Sequence, residues 1–315
     1  MSRIAYVNGR YVDHDHAMVH IEDRGYQFAD GVYEVCEVAH GNIMDMRRHL
    51  DRLDRSLSEL RIEWPMARRS LEFVIGEVVR RNRVVNGLVY LQVTRGVARR
   101  DHAFPAPGTK PALVVTARRT DPEAARAKAE KGLRVITVPE NRWDRVDIKT
   151  VGLLPNVLAR QQAREAEAHE AWFVDAQGYV TEGAATNVWI VTREGVLVTR
   201  PAEHGILRGI TRTTLMEVAA SLGLSVEERA FTVEEAKRAR ECFITAATTV
   251  VMPVVAIDDA TVANGHPERS RIHCETPFLR LRKRPRPVNP AQEGCYPEPP
   301  VCVVPAGAGL VAPWA

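Results

Sequence analysis

The sequence predicts an α+β fold with two domains, and three observations lead to this prediction. The chain has 315 residues, which is more than one compact core of ordinary size accommodates. Segments with the alternating pattern of strands are interspersed with segments of helical periodicity. A charged stretch over 119–131, with Pro122 near the start of a short helix, separates two groups of such segments. We therefore predict a small α/β domain over 1–118, a connector over 119–131 and a larger, β-rich domain over 132–266.

Hairpins and helices make up the predicted first domain. Asn8-Gly9 lies between strand-forming residues, which is the sequence signal of a tight hairpin turn. A second hairpin is predicted from strands at 32–38 and 43–46 around the turn His40-Gly41-Asn42. Apolar spacing then predicts helices and strands in this order: helices at 50–60 and 71–79, strands at 88–94 and 112–116.

The second domain is predicted to contain more strands than helices. Strand patterns lie at 133–138, 171–174, 187–191, 196–199 and 242–245, and helical patterns lie near 153–168, 210–222 and 232–239. Cys36 and Cys242 each lie in an apolar, strand-like run, so we predict buried, reduced thiols rather than nucleophiles.

The last part of the chain, 267–315, differs from the rest. It contains 10 of the 19 prolines and a balance of 7 Lys and Arg to 4 Asp and Glu, so residues 1–266 are neutral. Such proline density does not sustain a helix or a central strand, and we expect a disordered tail. Our hypothesis is that a reading-frame change replaced an original C-terminal helix.

Composition also bears on location and partners. The neutral body shows no nucleic-acid footprint, and no apolar run approaches the roughly 20 residues of a membrane span. The N-terminus leads directly into a strand pattern without a signal-like apolar segment. We therefore expect a cytoplasmic enzyme with small-molecule substrates, no metal site, and no membrane or nucleic-acid partner.

Lys149 is the first candidate for chemistry. Arginine outnumbers lysine by 37 to 6, and Lys149 alone among the lysines is flanked by apolar segments. A lysine amine can act as a nucleophile, whereas arginine cannot. The alternative is a surface lysine whose stem lies along apolar residues at a strand end, and spacing alone favours that alternative.

Two further segments strengthen the case. Glu182 lies beside small residues directly before an apolar strand, where a buried carboxylate needs a cationic partner, although an ordinary turn glutamate is the alternative. Gly209 and Thr211 lie where the helix predicted near 210–222 begins, and free N–H groups there favour a phosphate. Many helices begin this way, so the second signal is weak alone.

Together these segments resemble the class IV pyridoxal-phosphate aminotransferases of fold type IV, and within them the D-amino-acid transaminases. The resemblance covers about Tyr6 to Asp259. Its most specific motif is Ile21-Glu22-Asp23-Arg24-Gly25-Tyr26-Gln27-Phe28-Ala29-Asp30-Gly31-Val32-Tyr33-Glu34-Val35. The other motifs, in the family's order, are His49-Leu50-Asp51-Arg52-Leu53, Asp147-Ile148-Lys149-Thr150, Leu154-Pro155-Asn156-Val157-Leu158-Ala159, Val180-Thr181-Glu182-Gly183 and Gly209-Ile210-Thr211-Arg212.

The resemblance implies pyridoxal 5'-phosphate as cofactor and a homodimer as the assembly. Lys149 would carry the cofactor and move a proton between the substrate α-carbon and the cofactor, and Glu182 would pair with the pyridine nitrogen.

The resemblance also implies which residues hold the rest of the cofactor. Arg52 would bind the phosphate, Ile210 and Thr211 would add donors to it, and Leu207 would pack against the ring. Thr248 would supply one more hydroxyl, although the neighbouring Ala247 stands where many relatives have a hydroxyl residue.

Substrate choice is implied by Arg100 and His102. They match a loop that, in D-amino-acid transaminases, holds the substrate α-carboxylate across a dimer interface, with Tyr33 as the third member. Cations and a phenol make a suitable carboxylate site. The alternative is an exposed basic loop. We expect a D-amino donor such as D-alanine or D-glutamate, with 2-oxoglutarate or pyruvate as acceptor.

Other functions remain open at this point. On the same scaffold they are a branched-chain L-amino-acid transaminase, an amine transaminase and an aminodeoxychorismate lyase. Outside the enzyme class they are an inactive pyridoxal-phosphate carrier and, for the tail, a nucleic-acid or membrane tether.

Overall fold

The computed structural model describes residues 3–203 and 205–267. The predicted tail, with Cys274, Cys295 and Cys302, therefore lies outside the described residues except for Pro267. The first group of elements, numbered in chain order, is β1 (Ile4–Val7), β2 (Arg10–Asp13), α1 (Arg24–Phe28), β3 (Gly31–Ala39), β4 (Asn42–Ile43), α2 (Met46–Glu59), α3 (Arg68–Arg81), β5 (Gly87–Thr94) and β6 (Ala112–Arg119).

The first sheet has the order β2-β1-β6-β5-β3-β4, and all of its strand pairs are antiparallel. Helices α2 and α3 cover one face of it with their apolar stripes. Leu50, Leu53, Leu71 and Ile75 are fully buried there, in one cluster with residues of β3 and β5. Helical spacing of leucine and isoleucine thus builds the core of this half.

The second group of elements begins after β6. It consists of α4 (Pro122–Lys131), β7 (Leu133–Pro139), α5 (Leu154–Glu165), β8 (Glu170–Val174), β9 (Val180–Gly183), β10 (Asn187–Val191), β11 (Leu197–Thr199), α6 (Ile210–Ser221), β12 (Val226–Glu228), α7 (Val233–Arg238), β13 (Glu241–Ala246), β14 (Val250–Ile257) and β15 (Ala260–Thr261).

The second sheet is mixed. Its order is β12-β11-β10-β13-β14-β7-β8-β9, with β15 paired to β14, and three of its pairs (β7–β8, β7–β14 and β11–β12) are parallel. Trp172 and Trp189 are fully buried in its core. Two sheets with separate cores and flanking helices confirm the predicted α+β, two-domain fold.

Most of the predicted elements are present, with a few differences. The strand predicted at 43–46 is shorter, because Met46 already begins α2. Strands β9, β12, β14 and β15 and the short helix α1 were not predicted. Cys36 and Cys242 are buried free cysteines as predicted, and burial raises the pKa of both thiols.

One backbone connection links the two halves next to the site. Thr150 forms a bridge with Val32 of β3, and the N–H of Tyr33 donates to the Lys149 carbonyl at 3.0 Å. The segment that carries Lys149 is thereby fixed against the first sheet. Within the described part of the chain, no helix is both long and apolar enough to cross a membrane.

Candidate active site

A cavity of about 490 Å³ is lined by residues of both halves of the molecule. Eight of the ten residues predicted for the site line it: Tyr33, Arg52, Lys149, Glu182, Leu207, Ile210, Thr211 and Thr248. The first two come from β3 and α2, and the others come from the second half. Residues far apart in the sequence therefore meet in one cavity. Among the described residues, no group of histidine, cysteine and acidic side chains is arranged to hold a metal ion.

Lys149 presents its amine to the cavity from the segment that precedes α5. Its Nζ lies 4.3 Å from the centroid of the Tyr33 ring, a cation–π contact. Because the Tyr33 N–H also binds the Lys149 carbonyl, the two residues hold each other in position. The structure thus gives a lysine with a fixed backbone and an amine that reaches a cavity, rather than a surface lysine.

Glu182 lies in β9 and is buried. Its Oε2 accepts hydrogen bonds from Asn187 Nδ2 at 3.1 Å and from the Leu207 N–H at 3.1 Å. Burial raises the pKa of this carboxyl, and the opposing effects of Arg142, the Leu207 N–H and Lys149 do not cancel that increase. The carboxylate is therefore incompletely balanced, and a further cation in the cavity would stabilise it.

Arg142 is a site residue that the sequence analysis missed. Its Nη1 donates to Glu182 Oε1 at 2.5 Å, and its Nη2 and Nε donate to Glu140 at 2.6 and 2.8 Å. The guanidinium also lies over the Phe173 ring, 4.4 Å from its centroid. Arg142 lines the cavity, so it both fixes Glu182 and reaches the site. Its signal in the sequence was weak, because it stands in a charged stretch that resembles a surface loop.

Helix α6 directs its N-terminus at the cavity. Gly209 is its N-cap residue, and no described side chain caps the first turn. The N–H groups of a first turn have no acceptor within the helix, so those of Ile210 and Thr211 can bind an anion. A Cβ at Gly209 would lie 2.0 Å from Asn187 Oδ1, which explains the glycine there.

Arg52 is held by a buried acid. Its Nε and Nη2 donate to the two oxygens of Glu34 at 2.7 and 2.8 Å, and its Nη1 donates to the Arg208 carbonyl at 3.0 Å. Glu34 Oε2 also lies 2.7 Å from His49 Nδ1. Two of the five N–H groups of the guanidinium are left for an anion. Arg52 can therefore bind a phosphate from a fixed position.

Glu34 is fully buried but remains ionised. Burial alone would raise the pKa of its carboxyl, but the charge of Arg52 and the hydrogen bonds from Arg52 and His49 lower it to about 2. This buried acid, like Arg142, is a functional residue that the sequence reasoning did not single out. It lies in a motif quoted above, on the face of β3 opposite Tyr33.

Arg100 and His102 do not line the cavity of the single chain. Both side chains are exposed, on the loop between β5 and β6. Arg100 stacks on the Phe28 ring at 4.7 Å, and the His102 ring lies 5.5 Å from the same ring. Both predicted residues thus contact Phe28, but within one chain they are not brought to the rest of the site.

The family follows from comparison with known proteins. The family model "amino-transferase class IV" matches residues 31–257, well over half of the chain. The chain belongs to the class IV aminotransferases. The matched range begins at β3 and ends at β14, so it contains every residue of the cavity described above.

Individual aminotransferases to which the chain is similar agree with this membership. A D-alanine aminotransferase of Bacillus licheniformis is 40% identical over 260 residues, covering 82% of this chain and 90% of its own. One from Listeria innocua is 39% identical over 260 residues, covering 82% and 89%. A solved branched-chain aminotransferase from the thermophilic archaeon Thermoproteus uzoniensis, with norvaline, is 27% identical, with a TM-score of 0.76 and coverage of 90% and 95%.

Proposed function

We propose that this protein is a pyridoxal-phosphate-dependent transaminase that moves the amino group of a D-amino acid to a 2-oxo acid. The donor is an amino acid such as D-alanine or D-glutamate, and the acceptor is 2-oxoglutarate or pyruvate. The observation that carries the proposal is the convergence of Lys149, Glu182, Arg52 and the uncapped N-terminus of α6 on one cavity.

The residues of the cavity fit pyridoxal 5'-phosphate. The aldehyde of the cofactor requires an amine, and its phosphate requires an anion site such as the N-terminus of α6. Its protonated pyridine nitrogen requires a buried carboxylate that lacks full compensation, as Glu182 does. Lys149 would hold the aldehyde carbon, Glu182 the ring nitrogen, and Arg52 with the backbone of Ile210 and Thr211 the phosphate. Thr248 would add a hydroxyl, and Leu207 would pack against the ring.

The chemistry divides between cofactor and protein. When bound, pyridoxal phosphate supplies an electron sink that weakens the bonds at the substrate α-carbon. The protein contributes proton transfer and positioning. Lys149 Nζ would take the proton from the substrate α-carbon as a general base and, as a general acid, would deliver it to the cofactor carbon that carried the aldehyde. Glu182, kept in place by Arg142 at 2.5 Å, would stabilise a protonated ring nitrogen of the bound cofactor.

The enantiomer of the substrate is determined by the positions of the Lys149 amine and of the carboxylate site. Lys149 removes a proton from one face only, and a carboxylate site at Arg100, His102 and Tyr33 determines which hydrogen is on that face. Since Arg100 and His102 are exposed and outside the cavity of the single chain, we infer that they serve the cavity of a partner subunit in a homodimer. The identity of 40% with a D-alanine aminotransferase supports the D-amino donor.

The proposal also includes the location of the enzyme, its domain division and its partners. We retain a cytoplasmic location for the enzyme. We also retain the division into 1–118, 119–131 and 132–266, which the change from one sheet to the other between β6 and β7 supports. Amino acids and 2-oxo acids are its partners, with no nucleic acid, membrane or metal.

A branched-chain L-amino-acid transaminase is the alternative on this scaffold. Its support is the likeness to solved branched-chain enzymes, at 27% identity for the Thermoproteus uzoniensis protein. That identity is lower than the 40% shared with the Bacillus licheniformis D-alanine aminotransferase. Lys149, Glu182 and Arg52 suit both activities, so the Arg100 and His102 loop decides between them.

A coupled assay distinguishes the two functions. Purified enzyme with 2-oxoglutarate is given D-alanine, L-alanine or L-leucine, and oxo-acid formation is followed. We expect turnover of D-alanine and at most trace turnover of the L-amino acids. Turnover confined to L-leucine would reject the proposed function and support the branched-chain alternative. The Lys149→Ala variant is the control for cofactor-dependent turnover.

A further inference from the structure

The motif Glu22 to Gly31 packs against the loop that carries Arg100 and His102. Arg24 donates from Nη1 to the Asp101 carbonyl at 2.6 Å and from Nη2 to the His102 carbonyl at 3.4 Å. Arg24 itself is only 3% exposed, whereas both side chains of the candidate carboxylate site are exposed. A buried guanidinium thus holds the backbone of a loop whose functional side chains point outward.

Asp30 fixes the guanidinium. Its Oδ2 accepts from Arg24 Nε at 2.8 Å and from Arg95 Nε at 2.7 Å, and its Oδ1 accepts from Arg95 Nη2 at 3.0 Å. Arg95 also lies 3.8 Å from the centroid of the Phe104 ring, at the far end of the same loop. One carboxylate therefore orients two arginines, and each arginine contacts a different part of the loop.

Phe28 holds the side chains themselves. Its ring lies 4.8 Å from the guanidinium carbon of Arg24, 4.7 Å from that of Arg100 and 5.5 Å from the ring centroid of His102. Two guanidinium groups and an imidazole around one aromatic ring form a set of cation–π and aromatic contacts. Arg100 and His102 are consequently kept together before any ligand binds.

Asp23 and Gly25 of the motif, together with Gly96 after β5, bring the backbones close enough for these contacts. A Cβ at Gly25 would lie 2.2 Å from Thr94 Cγ2, and one at Gly96, where φ is +96°, would lie 2.0 Å from the Lys110 carbonyl oxygen. Asp23 accepts from the Gly25 N–H at 2.8 Å and from Thr94 Oγ1 at 2.9 Å. The Arg24 N–H donates to the Gly96 carbonyl at 2.9 Å.

We propose that Arg24, Phe28, Asp30 and Arg95, the loop clamp, are positioning residues that set Arg100 and His102 for the substrate carboxylate. The proposal rests on the proposed function, in which those two residues bind that carboxylate. The clamp touches neither substrate nor cofactor; it acts through the loop 98–104. The same motif continues into β3, whose Tyr33 N–H binds the Lys149 carbonyl of the same chain.

The test compares Arg24→Lys with a matched substitution elsewhere. Arg229 also pairs with a carboxylate, Glu235, and with a backbone carbonyl, that of Ala230, but lies outside the cavity and the loop. Lysine keeps the charge of Arg24 but cannot reach Asp30 and two carbonyl groups at once. We expect Arg24→Lys to raise KM for D-alanine about tenfold or more with a smaller change in kcat, and Arg229→Lys to leave both unchanged.

A double-mutant cycle and hydrogen exchange show whether the rise in KM of Arg24→Lys arises through the loop 98–104. If Arg24 acts through Arg100, adding Arg24→Lys to Arg100→Met raises KM little further. Backbone amides of 98–104 should exchange faster in Arg24→Lys and in the milder Phe28→Leu variant than in the wild type, whether or not substrate is present. Arg229→Lys should not change their exchange.

Different results would overturn the loop clamp and the proposed function. An active wild type with unchanged KM in Arg24→Lys, unchanged loop exchange or additive substitutions would overturn the clamp alone. A wild type that turns over neither D-alanine nor D-glutamate would overturn the proposed function, and the clamp's role in substrate binding with it. Should Arg24→Lys fail to fold, the same measurements on Phe28→Leu decide the matter.

Discussion

Arg142 Nη1 lies 2.5 Å from Glu182 Oε1, and the two buried side chains form an ion pair at the wall of the cavity. Burial raises the pKa of Glu182, and Arg142 is the largest opposing influence. Among the groups around Glu182, Arg142 thus most favours its ionised form, and Glu140 holds this arginine from the other side.

Replacing Arg142 should weaken the hold on the cofactor. In Arg142→Met the pKa of Glu182 rises further, so a larger share of this carboxyl is neutral and pairs less well with a protonated ring nitrogen. We expect the dissociation constant for pyridoxal phosphate to increase about tenfold or more, as measured by fluorescence titration of the apoenzyme. Arg142→Lys, which keeps a cation, should show a smaller increase. Equal affinities in all three proteins would contradict this role.

Replacing Glu182 should impair the chemical step. Glu182→Gln keeps the shape of the side chain but removes its charge, so kcat should decrease about 100-fold or more. Steady-state kinetics with D-alanine measures it. Glu140→Gln is the matched control, because Glu140 binds the same arginine but does not line the cavity. A decrease as large in Glu140→Gln would assign the effect to the arrangement of Arg142 instead.

Glu34 should make stability depend on acid pH. Its pKa in the folded protein is about 2 against an ordinary value of 4.5, so its stabilising effect is complete above pH 4.5 and is lost as the pH falls toward 2. The difference in unfolding free energy between wild type and Glu34→Gln should therefore shrink by about 2 kcal/mol between pH 6 and pH 3.

Urea unfolding at several pH values measures this difference. Carboxyl groups distant from Glu34 contribute alike to both proteins, so the comparison reports on the charge of Glu34 and its pairing with His49 and Arg52. A difference that stays constant from pH 6 to pH 3 would mean that Glu34 is not held ionised by its partners. A lower affinity for phosphate in Glu34→Gln should accompany the loss of stability, because Arg52 is no longer oriented.

Removing the charge of Arg100 should impair substrate binding specifically. Arg100→Met should raise KM for D-alanine about 10- to 100-fold, the usual contribution of a hydrogen bond to a charged group. The affinity for pyridoxal phosphate should not change, since Arg100 is proposed to bind the substrate carboxylate and not the cofactor. Arg99→Met, with the same substitution at an exposed neighbour in the loop, is the control. Equal KM values for Arg100→Met and the wild type would mean that Arg100 does not bind the substrate carboxylate.

The sequence was sufficient to predict helices and candidate site residues where the local pattern and the chemistry of the side chains agree. Leu50, Leu53 and Leu71 show helical spacing and are fully buried residues of α2 and α3. Lys149 and Glu182 could be named as candidates from a lysine among arginines and an acid before an apolar strand, although each pattern alone also fits an ordinary surface residue. Their placement in one cavity came from the resemblance, not from periodicity.

The structure was needed where partners are distant in sequence or a local rule is broken. Arg142 lies 40 residues from Glu182, and nothing local indicates that its guanidinium is buried. Strand β14 was missed because it contains Pro253, which is unfavourable in a central strand. It is accommodated next to an irregularity, where the register with β7 shifts between Val254 and Ala256. The contacts of Arg24 and Asp30 with the loop 98–104 also join distant segments.

Borohydride reduction of the enzyme with bound pyridoxal phosphate, followed by peptide mapping, shows whether Lys149 is the residue that holds the cofactor. Reduction fixes the cofactor permanently to the amine that holds it, and the other five lysines of the chain serve as internal controls. We expect a single labelled peptide containing Lys149 and no label in the Lys149→Ala variant. A label on another lysine, or no label at all, would contradict it.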